Sequence, residues 1–116
     1  HISKRATIGA GTVIMAGATI NADTQTGTHC IINTSASIDH DCILGNYVHI
    51  SPNATLSGGV EVGEGTHIGA GASVIQGIKI GKWCTIGAGT VVIKDIPDNA
   101  TAVGNPARVI KVKENE

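Results

Sequence analysis

The sequence predicts an all-β fold, a single-stranded parallel β-helix, and three observations carry that prediction. Counting every sixth residue from Ile2 to Val92 gives Ile, Leu or Val at fifteen of sixteen positions, Thr26 being the exception, with no insertion in the count. Two residues before each of these stands something small or apolar, as at Ala18, Cys30, Ala36, Cys42 and Ala54. Alternate residues of a strand share a face, so both sets point inward and one short strand fits each hexad. Lastly, Gly9, Gly27, Gly45, Gly63 and Gly81 recur every eighteen residues. Three hexads therefore close one turn, and coils stack at the ~4.8 Å strand spacing. We expect that column to mark a corner whose backbone dihedrals suit glycine.

Sixteen hexads make about five coils. A β-sandwich predicts turns every ~8–12 residues at variable spacing, which strict sixes exclude. Composition agrees. The 116-residue chain has no Phe, one Trp and one Tyr, too little aromatic volume for an ordinary globular core. Sixteen glycines spread along it oppose long helices.

In chain order, residues 1–96 form the predicted β-helix and residues 97–116 a cap and tail. The repeat fades at Ile96-Pro97-Asp98-Asn99, and the apolar segment Ala102 to Ile110 suits a cap over the last open coil. Residues 111–116 read as a charged, frayed tail. The chain begins at His1 without an initiator Met, as a trimmed or excised domain would.

Net charge is −1, divided as −3 over residues 1–78 and +2 over the remainder. The basic C-terminal part is too sparse and too poor in aromatics for a nucleic-acid surface, though it suits one multiply charged small molecule. No apolar run approaches the ~18 residues of a membrane span, and no signal-peptide pattern is present. Cys30, Cys42 and Cys84 all fall at the small inward position. Cys30 and Cys84 lie three coils, about 14 Å, apart, beyond disulfide reach, and Cys42 is on another side. Reduced core thiols fit a cytoplasmic protein.

Three sides of a prism follow from the count. Side A carries Val13, Ile31, His49, His67 and Thr85 outward, side B carries Thr19, Ser37, Thr55 and Ser73, and side C carries Thr7, Gln25, Ile43, Glu61 and Lys79. Side C reads as solvated, and side A is apolar enough to be buried by oligomerisation. His49 and His67 stack on side A. His29 shares a corner column with Tyr47 and Trp83.

The stretch that points to chemistry is Asp39-His40-Asp41, at the corner between sides B and C. A carboxylate beside an imidazole orients the ring and stabilises its cation, which general-base chemistry near neutral pH requires. Gly58 lies one coil from His40 in the same column, so bare backbone is available beside the ring.

The hexad array, Ile86-Gly87-Ala88-Gly89-Thr90-Val91-Val92 and Val103-Gly104-Asn105-Pro106-Ala107-Arg108 together resemble the left-handed β-helix hexapeptide acyltransferases, and handedness rests on that resemblance alone. Asn33-Thr34, Ile38 through Gly45, His49-Ile50-Ser51 and Ser57-Gly58-Gly59 resemble, more specifically, the sialic acid O-acetyltransferase family, which includes the UDP-4-amino-sugar N-acetyltransferases of bacillosamine synthesis. The resemblance implies acetyl-CoA as co-substrate, a sugar or nucleotide-sugar acceptor, and homotrimers with acetyl-CoA in the groove between subunits. It implies that His40 is the general base, that Asp41 raises its basicity, and that the Gly58 N–H meets the thioester carbonyl. His49 then contacts acetyl-CoA, Asn33 lies near the sugar, and Ala70 and Ala88 line the CoA arm. The family's N-terminal nucleotide-binding α/β domain is missing from the sequence, and Asp replaces Glu at position 41.

Direct transfer with no acyl-enzyme is therefore expected, the cysteines being core rather than nucleophiles. Lys82, Lys94 and Arg108 are candidates for the CoA phosphates. No metal is expected: a related zinc-binding class has two ligands five residues apart, a pattern lacking here. Alternatives are an acetyltransferase for serine, a maltose-type sugar or a xenobiotic, and a non-catalytic scaffold. An ice-binding prism needs a Thr-x-Thr face, which only Thr24-Gln25-Thr26 supplies. Because Asn33 and His49 lie across the prism from the His40 corner, the site is expected to need residues of a neighbouring chain.

Overall fold

A computed structural model describes residues 1–114, and it is an all-β parallel β-helix of about five turns. Three strands make one turn. Side A stacks β1 (Val13–Ile14), β4 (Ile31–Ile32), β7 (His49–Ile50), β10 (His67–Ile68) and β13 (Thr85–Ile86). Side B stacks β2 (Thr19–Ile20), β5 (Ser37–Ile38), β8 (Thr55–Leu56), β11 (Ser73–Val74) and β14 (Val91–Val92). Side C stacks β3 (Gln25–Thr26), β6 (Ile43–Leu44), β9 (Glu61–Val62) and β12 (Lys79–Ile80). Each pairing joins residues eighteen apart, Ile14 to Ile32 and Ile32 to Ile50 among them.

The core is the predicted pair of inward columns. Ile20, Ile32, Ile38, Ile50 and Leu56 are fully buried, as are Cys30, Ala36, Cys42 and Ala54. Ile2 departs from the pattern at 45% exposure, because its only bridge is to Ile20 in the coil above. Thr26, the polar exception in the Ile column, accepts the Gly9 N–H at 3.1 Å through its hydroxyl.

Thr24, Thr66 and the three cysteines share one hydrogen-bonding role, whereas the buried Thr90 hydroxyl has no partner among the described residues. The Thr24 and Thr66 hydroxyls donate to carbonyls one coil on, at Asp39 (2.8 Å) and Gly81 (2.6 Å). The thiols of Cys30, Cys42 and Cys84 do the same at Gly45 (3.1 Å), Ser57 (3.2 Å) and Pro97 (3.0 Å). All three cysteines are free and buried, and burial pushes the Cys42 thiol up. A raised thiol makes Cys42 a poor nucleophile, and burial with a carbonyl-bonded thiol makes all three structural side chains.

The five-glycine column corrects an expectation. None of Gly9, Gly27, Gly45, Gly63 and Gly81 has positive φ. Their constraint is close approach: a Cβ on Gly45 would stand 2.7 Å from the Glu64 nitrogen, and one on Gly63 2.6 Å from the Gly81 carbonyl carbon and the Lys82 nitrogen. The left-handed residue comes two positions later, at Gly11, His29, Tyr47, Gly65 and Trp83. Equivalent left-handed residues mark the other corners, at Asp23, Asp41, Gly59 and Gly77 and at Gly17, Ser35, Asn53, Gly71 and Gly89. Asp and Asn tolerate this region better than most residues.

The cap is more ordered than a frayed tail. β15 (Ala100–Val103) joins side A above β13, burying Ala100 and Ala102, and β16 (Arg108–Val112) pairs antiparallel with it. The ladder takes in Lys111 and Val112, and the Lys113 N–H still reaches the Asn99 carbonyl at 2.8 Å. The last part of the expected tail, 115–116, lies outside the described residues. Among the described residues no helix is long and apolar enough to cross a membrane.

Candidate active site

Strand β5 ends at Ile38 and delivers Asp39-His40-Asp41 to the corner between sides B and C. The Asp39 carboxylate accepts the His40 N–H at 2.8 Å and the Asn21 amide at 3.1 Å. Those two bonds, the His40 one first, hold its carboxyl below the usual carboxylate range. Asp39 is therefore an ionised turn-former. Asp41 acts on the ring instead. Its left-handed backbone (φ 59°) turns the carboxylate back, and Oδ2 lies 2.9 Å from His40 Nδ1.

Only a protonated Nδ1 can donate to that carboxylate, so the neutral ring keeps its lone pair on Nε2. The ring lies on Gly58 of the next coil: a Cβ there would stand 2.6 Å from Cε1 and 2.7 Å from Nε2. Gly58 is buried, its carbonyl accepts the Gly77 N–H at 3.0 Å, and the neighbouring Gly59 N–H is used by the His40 carbonyl at 2.9 Å. Among the described residues no group accepts the Gly58 N–H. A basic nitrogen thus sits beside a free backbone donor.

The other predicted residues form a second group, on side A and its corner with side B. His49 and His67 are face-stacked, with ring centroids 4.5 Å apart at 9°. Asn33 Nδ2 lies 3.4 Å from His49 Nε2, and Ser51 Oγ lies 2.7 Å from His67 Nε2. Burial, and then the neighbouring His67, push the His49 pKa down. Ala70 and Ala88 stack in one exposed column, the Gly89 N–H bonding the Ala70 carbonyl at 2.8 Å. A Cβ built on Gly71 or Gly89 beside them would touch nothing within 4 Å, so this corner is smooth and open. Among the described residues no contact joins His40 to Asn33 or His49.

The three candidate phosphate cations stand apart from one another. Lys94 is in the His40 column, Lys82 is on the corner between sides C and A, and Arg108 opens β16. Sequence reasoning missed a groove beside β10 and the cap, where His67, Trp83, Asn99, Thr101, Lys111 and Lys113 converge. It also missed the Asn33–His49 and Ser51–His67 contacts. Their signal was available, since both pairs are separated by sixteen residues, two short of a coil. Among the described residues no group of three or more His, Cys, Asp or Glu side chains is placed to hold a metal.

Stacked hexads in three sheets define a hexapeptide-repeat β-helix, with a histidine at one of its corners. Residues 59–94 match the family model described as bacterial transferase hexapeptide (six repeats). The hexapeptide repeat over that segment and the fold are those of hexapeptide-repeat acyltransferases of known structure. Among solved structures it is similar to PerB from Caulobacter crescentus in complex with CoA and GDP-perosamine, at 46% identity and a TM-score of 0.94 over 95% of this chain and 53% of that one. It is likewise similar to the acetyltransferase domain of PglB from Neisseria gonorrhoeae in complex with acetyl coenzyme A, at 46% identity and 0.93 over 94% and 53%. WeeI from Acinetobacter baumannii is 29% identical, with a TM-score of 0.81 over 93% and 56%. The chain thus spans about half the length of these relatives. No curated protein sequence matches it.

Proposed function

We propose that the chain is the catalytic part of an acetyl-CoA-dependent sugar N-acetyltransferase whose acceptor is a nucleotide-activated amino sugar. The observation that carries this is the His40 ring, bonded to Asp41 through Nδ1 and resting with Nε2 against Gly58. The partners that PerB and PglB hold, CoA with GDP-perosamine and acetyl coenzyme A, support donor and acceptor class.

The acceptor amine attacks the thioester carbonyl carbon while His40 Nε2 takes the proton that the amine loses. The Gly58 N–H faces the oxyanion that forms as the carbonyl bond opens. Asp41 stabilises the imidazolium by charge. When the C–S bond breaks, the CoA thiolate leaves with the electron pair and collects the proton from His40. The acetyl group never resides on the protein.

Two half-sites on different sides of one prism favour a homotrimer. His40, Asp41 and Gly58 of one copy then face His49, Ala70, Ala88 and Asn33 of the next. The exposed Val13 and Ile31 on side A (50% and 38%) supply apolar surface for that contact. Residues 1–96 are the catalytic β-helix and 97–116 its C-terminal cap and tail. Both co-substrates are cytoplasmic metabolites and the thiols are free, so we place the protein in the cytoplasm.

The test is release of CoA thiol from acetyl-CoA with a panel of GDP- and UDP-linked amino sugars, serine and maltose as acceptors. Turnover confined to amino-sugar nucleotides is the expected result, and activity with serine alone would sink the reading. Sedimentation should show a trimer; a fully active monomer overturns the shared site.

A further inference from the structure

Asn33 touches His49 through an amide whose orientation is set independently. Asn33 Oδ1 accepts the Thr34 N–H at 2.7 Å, which leaves Nδ2 as the atom 3.4 Å from His49 Nε2. An amide NH2 only donates, so Nε2 must hold its lone pair, and in a neutral imidazole the proton is then on Nδ1. Adding a second proton would set N–H against N–H. On the ring face, His67 is stacked at 4.5 Å, and its own Nε2 is held by the Ser51 hydroxyl at 2.7 Å. Ser51 is 6% exposed, which anchors the stack from beneath.

We propose that Asn33 and His67 are positioning residues that fix His49 as its Nδ1–H tautomer, so that His49 presents a hydrogen-bond donor to a carbonyl oxygen of the acyl donor. This rests on the acetyl-CoA reading above. It gives the two side-A residues opposite roles to His40: there a carboxylate leaves Nε2 as base, here an amide leaves Nδ1–H as donor. It also reassigns Asn33, whose amide is spent on His49 rather than on the sugar. Burial and the adjacent His67 favour the neutral ring further. The strands flanking the stack add no charge, with Ile31 on β4 below and Thr85 on β13 above. The other titratable groups nearby are Tyr47, two residues before His49, and Lys111, Lys113 and Glu114 in the groove beside His67.

Long-range 15N–1H correlation spectra of the 15N-histidine-labelled protein without ligand read the tautomer directly. We expect His49 with a protonated Nδ1 and an unprotonated Nε2. Asn33→Asp replaces the donor by an acceptor, so the proton should move to Nε2 and the titration midpoint should rise. His67→Phe keeps a stacked ring but removes its charge, so the midpoint should rise with the tautomer unchanged. In kinetics, Asn33→Asp should raise the acetyl-CoA KM proportionally more than it lowers kcat. An Nε2–H tautomer in the wild-type protein overturns the proposal even if neither variant folds, as do unmoved midpoints in both. An Nδ1–H signal that acetyl-CoA leaves unperturbed overturns the donor role. Turnover retained in that case shows that the acetyl-transfer reading itself stands.

Discussion

The imidazole of His40 rests on the backbone of Gly58 one coil above, so closely that a Cβ at position 58 would stand 2.7 Å from Nε2. An imidazole and a backbone donor are thereby held by a strand register rather than by flexible loops. Register in a solenoid is set by every coil at once, which makes the pair rigid.

Replacing His40 by Ala should lower kcat by about 10²- to 10⁴-fold, the usual worth of a general base. The melting temperature should barely move, because the ring is exposed and its loss leaves no cavity. Stopped-assay kinetics and thermal melts check both halves.

Gly58→Ala tests the contact itself. The new methyl overlaps the His40 ring, which must swing away from Asp41. Turnover should fall although every catalytic side chain is present, and acetyl-CoA binding should weaken. Unchanged kcat and KM would show that base and backbone donor do not work as a pair.

Glycines of the two kinds should differ in cost. Gly63→Ala drives a Cβ into backbone of the next coil, at 2.6 Å, and overpacking of this sort costs about 1–3 kcal/mol or more. Gly77→Ala meets nothing within 4 Å but keeps φ at +76°, so its cost should be about 1–2 kcal/mol from the left-handed backbone alone. Denaturant midpoints of the two variants, with the m-value as control, should rank them in that order.

Acid stability should depend on Asp39. Its folded pKa lies below the ordinary value, chiefly through the His40 N–H and then the Asn21 amide. Its stabilisation is therefore complete above the unfolded pKa of about 3.9 and disappears as pH falls through the lower folded value. Asp39→Ala should lower the melting temperature at neutral pH and flatten its decline below about pH 4. A parallel acid limb in wild type and variant would contradict this.

Most of the fold was legible because a solenoid is one-dimensional. Residues six apart share a role and residues eighteen apart touch, so the columns of Ile and of Ala, Cys and Thr could be counted before any coordinate was known. The same arithmetic put Gly58 beside His40 and stacked His49 on His67. It failed where the repeat stops. Lys111 and Val112 read as tail because β16 pairs backward with β15, and antiparallel pairing carries no hexad signal.

By itself, then, the sequence determined the prism, its inward columns and the coil on which each candidate residue sits, since these follow from periodicity alone. Tertiary structure decided what periodicity cannot express. It showed that the glycine column answers to a 2.6–2.7 Å approach of backbone at Gly45 and Gly63 rather than to φ. It showed that Asp39 is spent on the turn while Asp41 faces the ring, and that Asn33 aims its amide at His49. Each of these depends on the direction of one bond vector at a corner, and a count of residues fixes position along the chain but not direction.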